Sequence, residues 1–123
     1  MFLYLASPYS HDNPEIMQMR YFGAMDATAH LLKQHVAVYS PIVHCHEIAK
    51  VHELPTDFEF WMRYNYRMLS AARKLLVLTL DGWDKSVGVR AEITYALTHC
   101  KPVLYRTPVE IMDNFYSHDE YML

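Results

Sequence analysis

The chain predicts an α/β fold, an open parallel sheet of four to five strands with helices on both faces, in one domain spanning residues 1–123. Three observations carry that prediction. Short apolar runs without polar alternation mark strands buried on both sides. Helical stretches with recognisable start signals separate those runs, which is the order of parallel crossover units. A length of 123 residues leaves room for one core and no second domain.

The first strand is Met1 to Ala6, ending at Ser7-Pro8-Tyr9-Ser10. Asn13 before Pro14 is an N-cap followed by a proline at the first helical position, so a helix starts there and runs to about Gln34. Its apolar residues Ile16, Met19, Phe22, Ala24, Met25, Ala27, Leu31 and Leu32 recur every three or four positions and predict one core-facing stripe. Val36 to Tyr39 is the second strand, closed by Ser40-Pro41. Ile42 to Leu54 has no clear period and reads as a loop with one helical turn. Pro55 opens a second long helix, with Asp57 and Glu59 where the macrodipole favours acids and Arg63, Arg67 and Arg73 toward its end. Lys74 to Leu80 is the clearest strand and belongs at the sheet centre. After the loop Asp81 to Lys85, a helix runs from Ser86 to about His99 and a last strand from Val103 to Arg106. Val109 to Leu123 reads as a short helix with a loose end.

Composition narrows the function. Hydrophobic residues make up 52% and charged residues 20%, so the chain carries enough apolar surface to fold. A net charge of -3 argues against a duplex nucleic-acid binder, whose affinity comes from a basic face. The apolar runs fall far short of the ~20 residues that cross a bilayer, and the N-terminus lacks a secretory leader. Cytoplasmic residence and free thiols at Cys45 and Cys100 are the corresponding expectations.

Open parallel sheets bind ligands beyond the carboxyl ends of their strands. The segments placed there are Ser7 to Asn13, the stretch after Ser40, and Asp81 to Gly88. Within the last lies Ser86-Val87-Gly88-Val89-Arg90-Ala91-Glu92. Ser86 caps the helix, Gly88 allows a ligand to approach the backbone, and the free amides of the first turn suit a phosphate or carboxylate. Glu92 lies deeper in that helix, on the side facing the strand ends; an ordinary surface glutamate would have the same spacing.

Tyr4-Leu5-Ala6-Ser7 together with Ser86, Gly88 and Glu92 resembles the nucleoside 2-deoxyribosyltransferase family and its 2'-deoxynucleoside 5'-monophosphate N-glycosidase relatives. The likeness covers Phe2 to about Tyr105 and is closer still to a small bacterial and phage branch, through Tyr4 to Ser10, Ser40-Pro41-Ile42, Leu54 to Trp61, Leu78 to Trp83 and Gly88 to Glu92. The resemblance implies a small flavodoxin- or Rossmann-like sheet and cleavage of a base–sugar bond of a nucleotide. It implies Glu92 as the nucleophile that forms a glycosyl ester, Tyr4 as the hydroxyl that orients it, and Ser86 and Gly88 as 5'-phosphate contacts. It implies no cofactor or metal, and a homodimer or larger assembly that closes the pocket.

One position departs from the pattern. Asn65 stands where the family offers an aspartate, and an amide cannot relay a proton. Four readings stay open: Asp57, Glu59, Asp81 or Asp84 takes over, the substrate needs no such help, the chain binds a nucleotide signal such as an ADP-ribose derivative without turnover, or Asn65 is an engineered inactivation. The candidate catalytic set is therefore Glu92, Tyr4, Asn65 and Asp81, with Ser7, Pro8, Tyr9, His44, Trp83, Ser86 and Gly88 as candidate substrate contacts. His44, Cys45, His46, His52 and His11 include zinc-type donors, but adjacent residues in an irregular stretch rarely converge on one ion, and the preferred reading is solvated or substrate-facing histidines, with His44 or His46 as candidates to meet a phosphate or a base edge. Tyr64, Tyr66, Trp61 and Trp83 are candidates to stack a base, Trp83 in the site loop having the best claim, although core or interface packing accounts for most such residues.

Overall fold

A computed structural model describes all residues from Met1 to Leu123. Its elements are β1 (Leu3–Ala6), α1 (Pro14–Lys33), β2 (Val38–Tyr39), α2 (Pro41–Val51), α3 (Phe58–Ala71), β3 (Lys74–Leu78), a 3₁₀ turn (Trp83–Lys85), α4 (Val87–Thr98), β4 (Val103–Arg106), α5 (Pro108–Met112) and α6 (His118–Met122). The four strands form one parallel sheet in the order β2-β1-β3-β4, with Tyr4 beside Tyr39 and Leu75, and Leu75 beside Val103. The chain moves outward from β1 to β2, returns past β1 to β3, and continues to β4. Strand order thus reverses between β1 and β3, the place where such sheets open a crevice.

Alternation along the strands divides the core in two. Leu3, Leu5, Leu76 and Leu78 point to one face and meet Ala27 and Leu31 of α1, Ile111 of α5 and Tyr121 of α6. Tyr4, Ala6, Leu75 and Val77 point to the other, against Leu69 of α3 and Val89 and Ala96 of α4. Burial on both faces is why these strands read as continuous apolar runs.

Several boundaries differ from the sequence expectation. Asn13 caps α1 as expected, accepting from the Glu15 amide, but the buried stripe is narrower: Tyr21, Ala24, Ala27 and Leu31. Met19 is 71% exposed and Phe22 and Leu32 are exposed too, since at 3.6 residues per turn Met19 and Phe22 fall on the side opposite Ala24 and Ala27. β2 begins at Val38 instead of Val36, and β3 ends at Leu78 instead of Leu80, where the Leu80 amide turns back to the Leu78 carbonyl.

The larger correction is α2, an 11-residue helix where a loop was expected. Ser40-Pro41 not only ends β2 but starts this helix, the Ser40 hydroxyl accepting from the Val43 amide and Pro41 occupying the first turn. Helix α3 starts at Phe58, not Pro55, because Asp57 caps it by accepting from the Phe60 amide, while the Pro55 carbonyl accepts from the Trp61 indole. The tail is not loose. Thr107 and Glu110 form a reciprocal capping box, and Ile111 and Tyr121 are fully buried under the sheet. No helix is long and apolar enough to cross a membrane.

Candidate functional site

Helix α4 starts where expected. The Ser86 hydroxyl accepts from the Val89 amide, and Val89, Glu92 and Ala96 then turn a buried stripe toward the sheet. On β1, Tyr4 points to the same face. The two meet: the Tyr4 hydroxyl donates to Glu92 Oε2 in the interior. Tyr4 has no exposed surface and Glu92 only 5%.

Their charges follow from that burial. Desolvation pushes the Glu92 carboxyl up to about 7, and the Tyr4 hydrogen bond pulls it down by less. The Tyr4 phenol is held well above its usual range, chiefly by burial and then by the charge on Glu92, so it remains a donor. The start of α4 does not offset that burial. Glu92 is the sixth residue of α4, beyond the first turn in which the dipole acts, and burial dominates.

Beside this pair lies a cleft of about 760 Å³, within the usual range for small-molecule sites. Five segments contribute to its walls: Ser7 and the residues Tyr9 to Asp12 after β1, Met17 of α1, one side of α2 from Pro41 to Ala49, the stretch from Thr56 to Asn65 that begins α3, and Lys85 to Gly88 at the start of α4. Gly88 shares a face of α4 with Glu92, one turn further on, although neither Glu92 nor Tyr4 itself lines the cleft. A Cβ on Gly88 would meet only Phe58 at 3.8 Å and the Ser86 hydroxyl at 3.9 Å. The protein therefore does not need glycine there, and its smallness serves the open space in front. Three lining residues carry a buried polar atom with no protein partner: Ser7 Oγ, Asn65 Oδ1 and His46 Nε2. Buried polar atoms are almost always paired, so a cluster of unpaired ones marks a place where a polar ligand fits.

Of the residues singled out in the sequence, Ser7, Tyr9, Asn65, Ser86 and Gly88 come together on this cleft. Pro8 is buried behind it. His44 is exposed outside the lining, stacked on Tyr64 with ring centroids 6.1 Å apart. Trp83 packs 5.6 Å from Tyr105 over the α3–α4 core, so the tryptophan of the cleft is Trp61. Asp81 is exposed and outside the lining, like Asp84, whereas Asp57 and Glu59 are on it.

A joint between the site loops was not anticipated. Arg20 of α1 ties both site loops together, donating to the Ser10 carbonyl at 2.9 Å and to the Asp81 carbonyl at 3.3 Å. Gly82, at φ 87°, completes that joint, because a Cβ there would lie 2.5 Å from the Arg20 guanidinium. His46, one of the histidines read from the sequence as substrate-facing, is 7% exposed on the cleft side of α2. Its signal was the spacing Pro41, Cys45, Ala49, a helical period hidden among polar residues. Cys45 and Cys100 are free, and no three His, Cys, Asp or Glu side chains converge as a metal site.

Fold and site define a doubly wound α/β protein with an ionisable Tyr–Glu pair buried beside a polar cleft at the switch point. Residues 1–107 match the family described as a domain of unknown function, DUF1937, and the chain belongs to that family. The match takes in the whole sheet and every cleft residue. No curated protein matches the chain.

Proposed function

We propose that the protein is an N-glycosidase, or a transferase of the same chemistry, acting on a nucleoside 5'-monophosphate or related nucleotide. The observation that carries this reading is Glu92, buried, oriented by Tyr4, and one turn behind the cleft-lining start of α4. In its ionised form a Glu92 oxygen attacks the anomeric carbon, the electron pair of the carbon–nitrogen bond leaves with the base, and the base takes a proton from water. Water or a second base then opens the glycosyl ester, with retention of configuration. The amides of Val87 and Gly88, in the first turn of α4, suit the 5'-phosphate. Incubating the protein with ribo- and deoxyribonucleotides and following free base by chromatography is the direct test. Base release that disappears in Glu92→Gln is expected, and no release from any nucleotide would sink the reading.

A second reading, a protein that binds a nucleotide signal such as an ADP-ribose derivative without turnover, is favoured by Asn65. Its Oδ1 lines the cleft unpaired where a proton-relaying acid would assist departure. Tight calorimetric binding with the ligand recovered unchanged would select it. Either ligand would lie partly open to solvent on a domain this small, which supports a homodimer or larger assembly that covers the cleft. Light scattering should then exceed the 14.5 kDa of one chain. The free thiols support a cytoplasmic setting, where nucleotides are plentiful.

A further inference from the structure

His46 is held as few surface histidines are. Its ring stacks on Tyr21 of α1 with centroids 3.9 Å apart, and its Nδ1 lies 2.6 Å from the Tyr9 hydroxyl. A phenol is a far stronger acid than a neutral imidazole N–H, so Tyr9 donates, Nδ1 accepts, and the ring proton sits on Nε2. That Nε2 is buried and has no hydrogen-bond partner, and the His46 side chain forms part of the cleft wall. The Glu47 carboxylate stands 3.9 Å away on an exposed side chain, outside hydrogen-bond range. Burial pushes the His46 pKa below its usual value, outweighing the attraction of Glu47, while Lys50 adds to the depression. The cleft wall therefore holds an oriented N–H donor without an acceptor.

Its chemistry and its place indicate the acceptor. A phosphate would favour the imidazolium, which burial disfavours here. Ser86 and Gly88 belong to α4 on one face of the sheet, whereas His46 packs on α1, which covers the other. A nucleotide with its phosphate at the α4 wall therefore extends its base toward the α1–α2 wall. We propose, on the reading of the cleft as a nucleotide site, that His46 recognises the base: Nε2–H donates to a ring nitrogen or carbonyl oxygen of the heterocycle. Tyr9 and Tyr21 are its positioning residues. As the carbon–nitrogen bond breaks, this hydrogen bond strengthens on the electron pair left on the base, while His46 keeps its proton and water protonates the departed base. Such a donor supplies part of the help that Asn65 cannot.

The test compares ligands with and without a base. Calorimetry in a Glu92→Gln background would use nucleoside 5'-monophosphates, ribo and deoxyribo, against ribose 5-phosphate. His46→Phe should weaken the best nucleotide by about tenfold or more and change ribose 5-phosphate by less than about twofold. His46→Gln, which retains an N–H, should keep most of the affinity and guards against misfolding of the aromatic variant. In the Glu92 protein, His46→Phe should slow base release by about a hundredfold for ordinary nucleotides. The loss should be under about tenfold for the 7-methylguanine nucleotide, whose base departs uncharged. Equal weakening of nucleotide and ribose 5-phosphate, or unchanged nucleotide affinity, overturns the assignment. Base-dependent binding through His46 without any base release would end the glycosidase reading and leave His46 standing. Binding of neither ligand would end both.

Discussion

Glu92 and Gly88 stand one turn apart on α4 and answer to different demands, one needing burial and the other emptiness. A carboxyl pushed to about 7 is half ionised at neutrality, so on the proposed glycosidase reading cleavage should rise with pH through about 7 as the attacking carboxylate forms. Tyr4→Phe removes the hydrogen bond that lowers Glu92, so its rising limb should move to higher pH, with turnover at neutral pH reduced about ten- to a thousandfold. A pH–rate profile of the variant that coincides with wild type would show that Tyr4 does not tune the nucleophile. Gly88→Ala makes the converse case. The added methyl meets only ordinary contacts and alanine favours helix, so thermal stability should hold or rise by up to about 1 kcal/mol. Affinity for ribose 5-phosphate should nevertheless fall, because the methyl occupies space in front of the amides. Unchanged affinity would move the phosphate away from α4.

At the level of elements, α2 decides the shape of the cleft, since it carries Cys45, His46 and Ala49 on the wall and rests on a single buried cap. Ser40→Ala should cost about 1 kcal/mol in urea denaturation by leaving the Val43 amide unpaired, and should weaken nucleotide binding with it. Loss of stability without loss of binding would mean that the wall is held from α1 alone. This helix also marks how far the sequence could be read. The strands were legible because burial on both sides leaves an uninterrupted apolar run, and α1 and α4 because Asn13-Pro14 and Ser86 announce them. Helix α2 was not, because a half-buried helix edged by His44, His46, Glu47 and Lys50 dilutes its own period. Glu92, Tyr4, Ser86 and Gly88 were legible through their spacing and resemblance. The exclusion of His44, Asp81 and Trp83 from the cleft was not, since it depends on which side of a helix or loop each side chain leaves, and the Arg20 joint spans elements far apart in the chain.

Over the whole molecule, the burial of Glu92 should appear as a pH-dependent loss of stability. Native Glu92 keeps its proton up to about 7, whereas in the unfolded chain it releases it near 4.5. Between those values the unfolded state binds fewer protons than the native state, so this group makes stability fall as pH rises, and above about 7 its contribution levels off. Each pKa unit is worth about 1.4 kcal/mol, which sets the full effect at roughly 3 kcal/mol for a group buried this deeply. Glu92→Gln removes the titration while keeping an oxygen that can accept from Tyr4. Unfolding free energies of the two proteins should therefore nearly coincide at about pH 4 and separate by up to roughly 3 kcal/mol at about pH 8, the variant being the more stable. The histidines and remaining carboxylates titrate in both proteins and cancel in the difference. A gap that stays constant across this range would show that Glu92 ionises as an ordinary surface glutamate, whereas a gap that opens with pH, in a variant that no longer releases base, would identify one carboxyl as the source of both the stability cost and the chemistry.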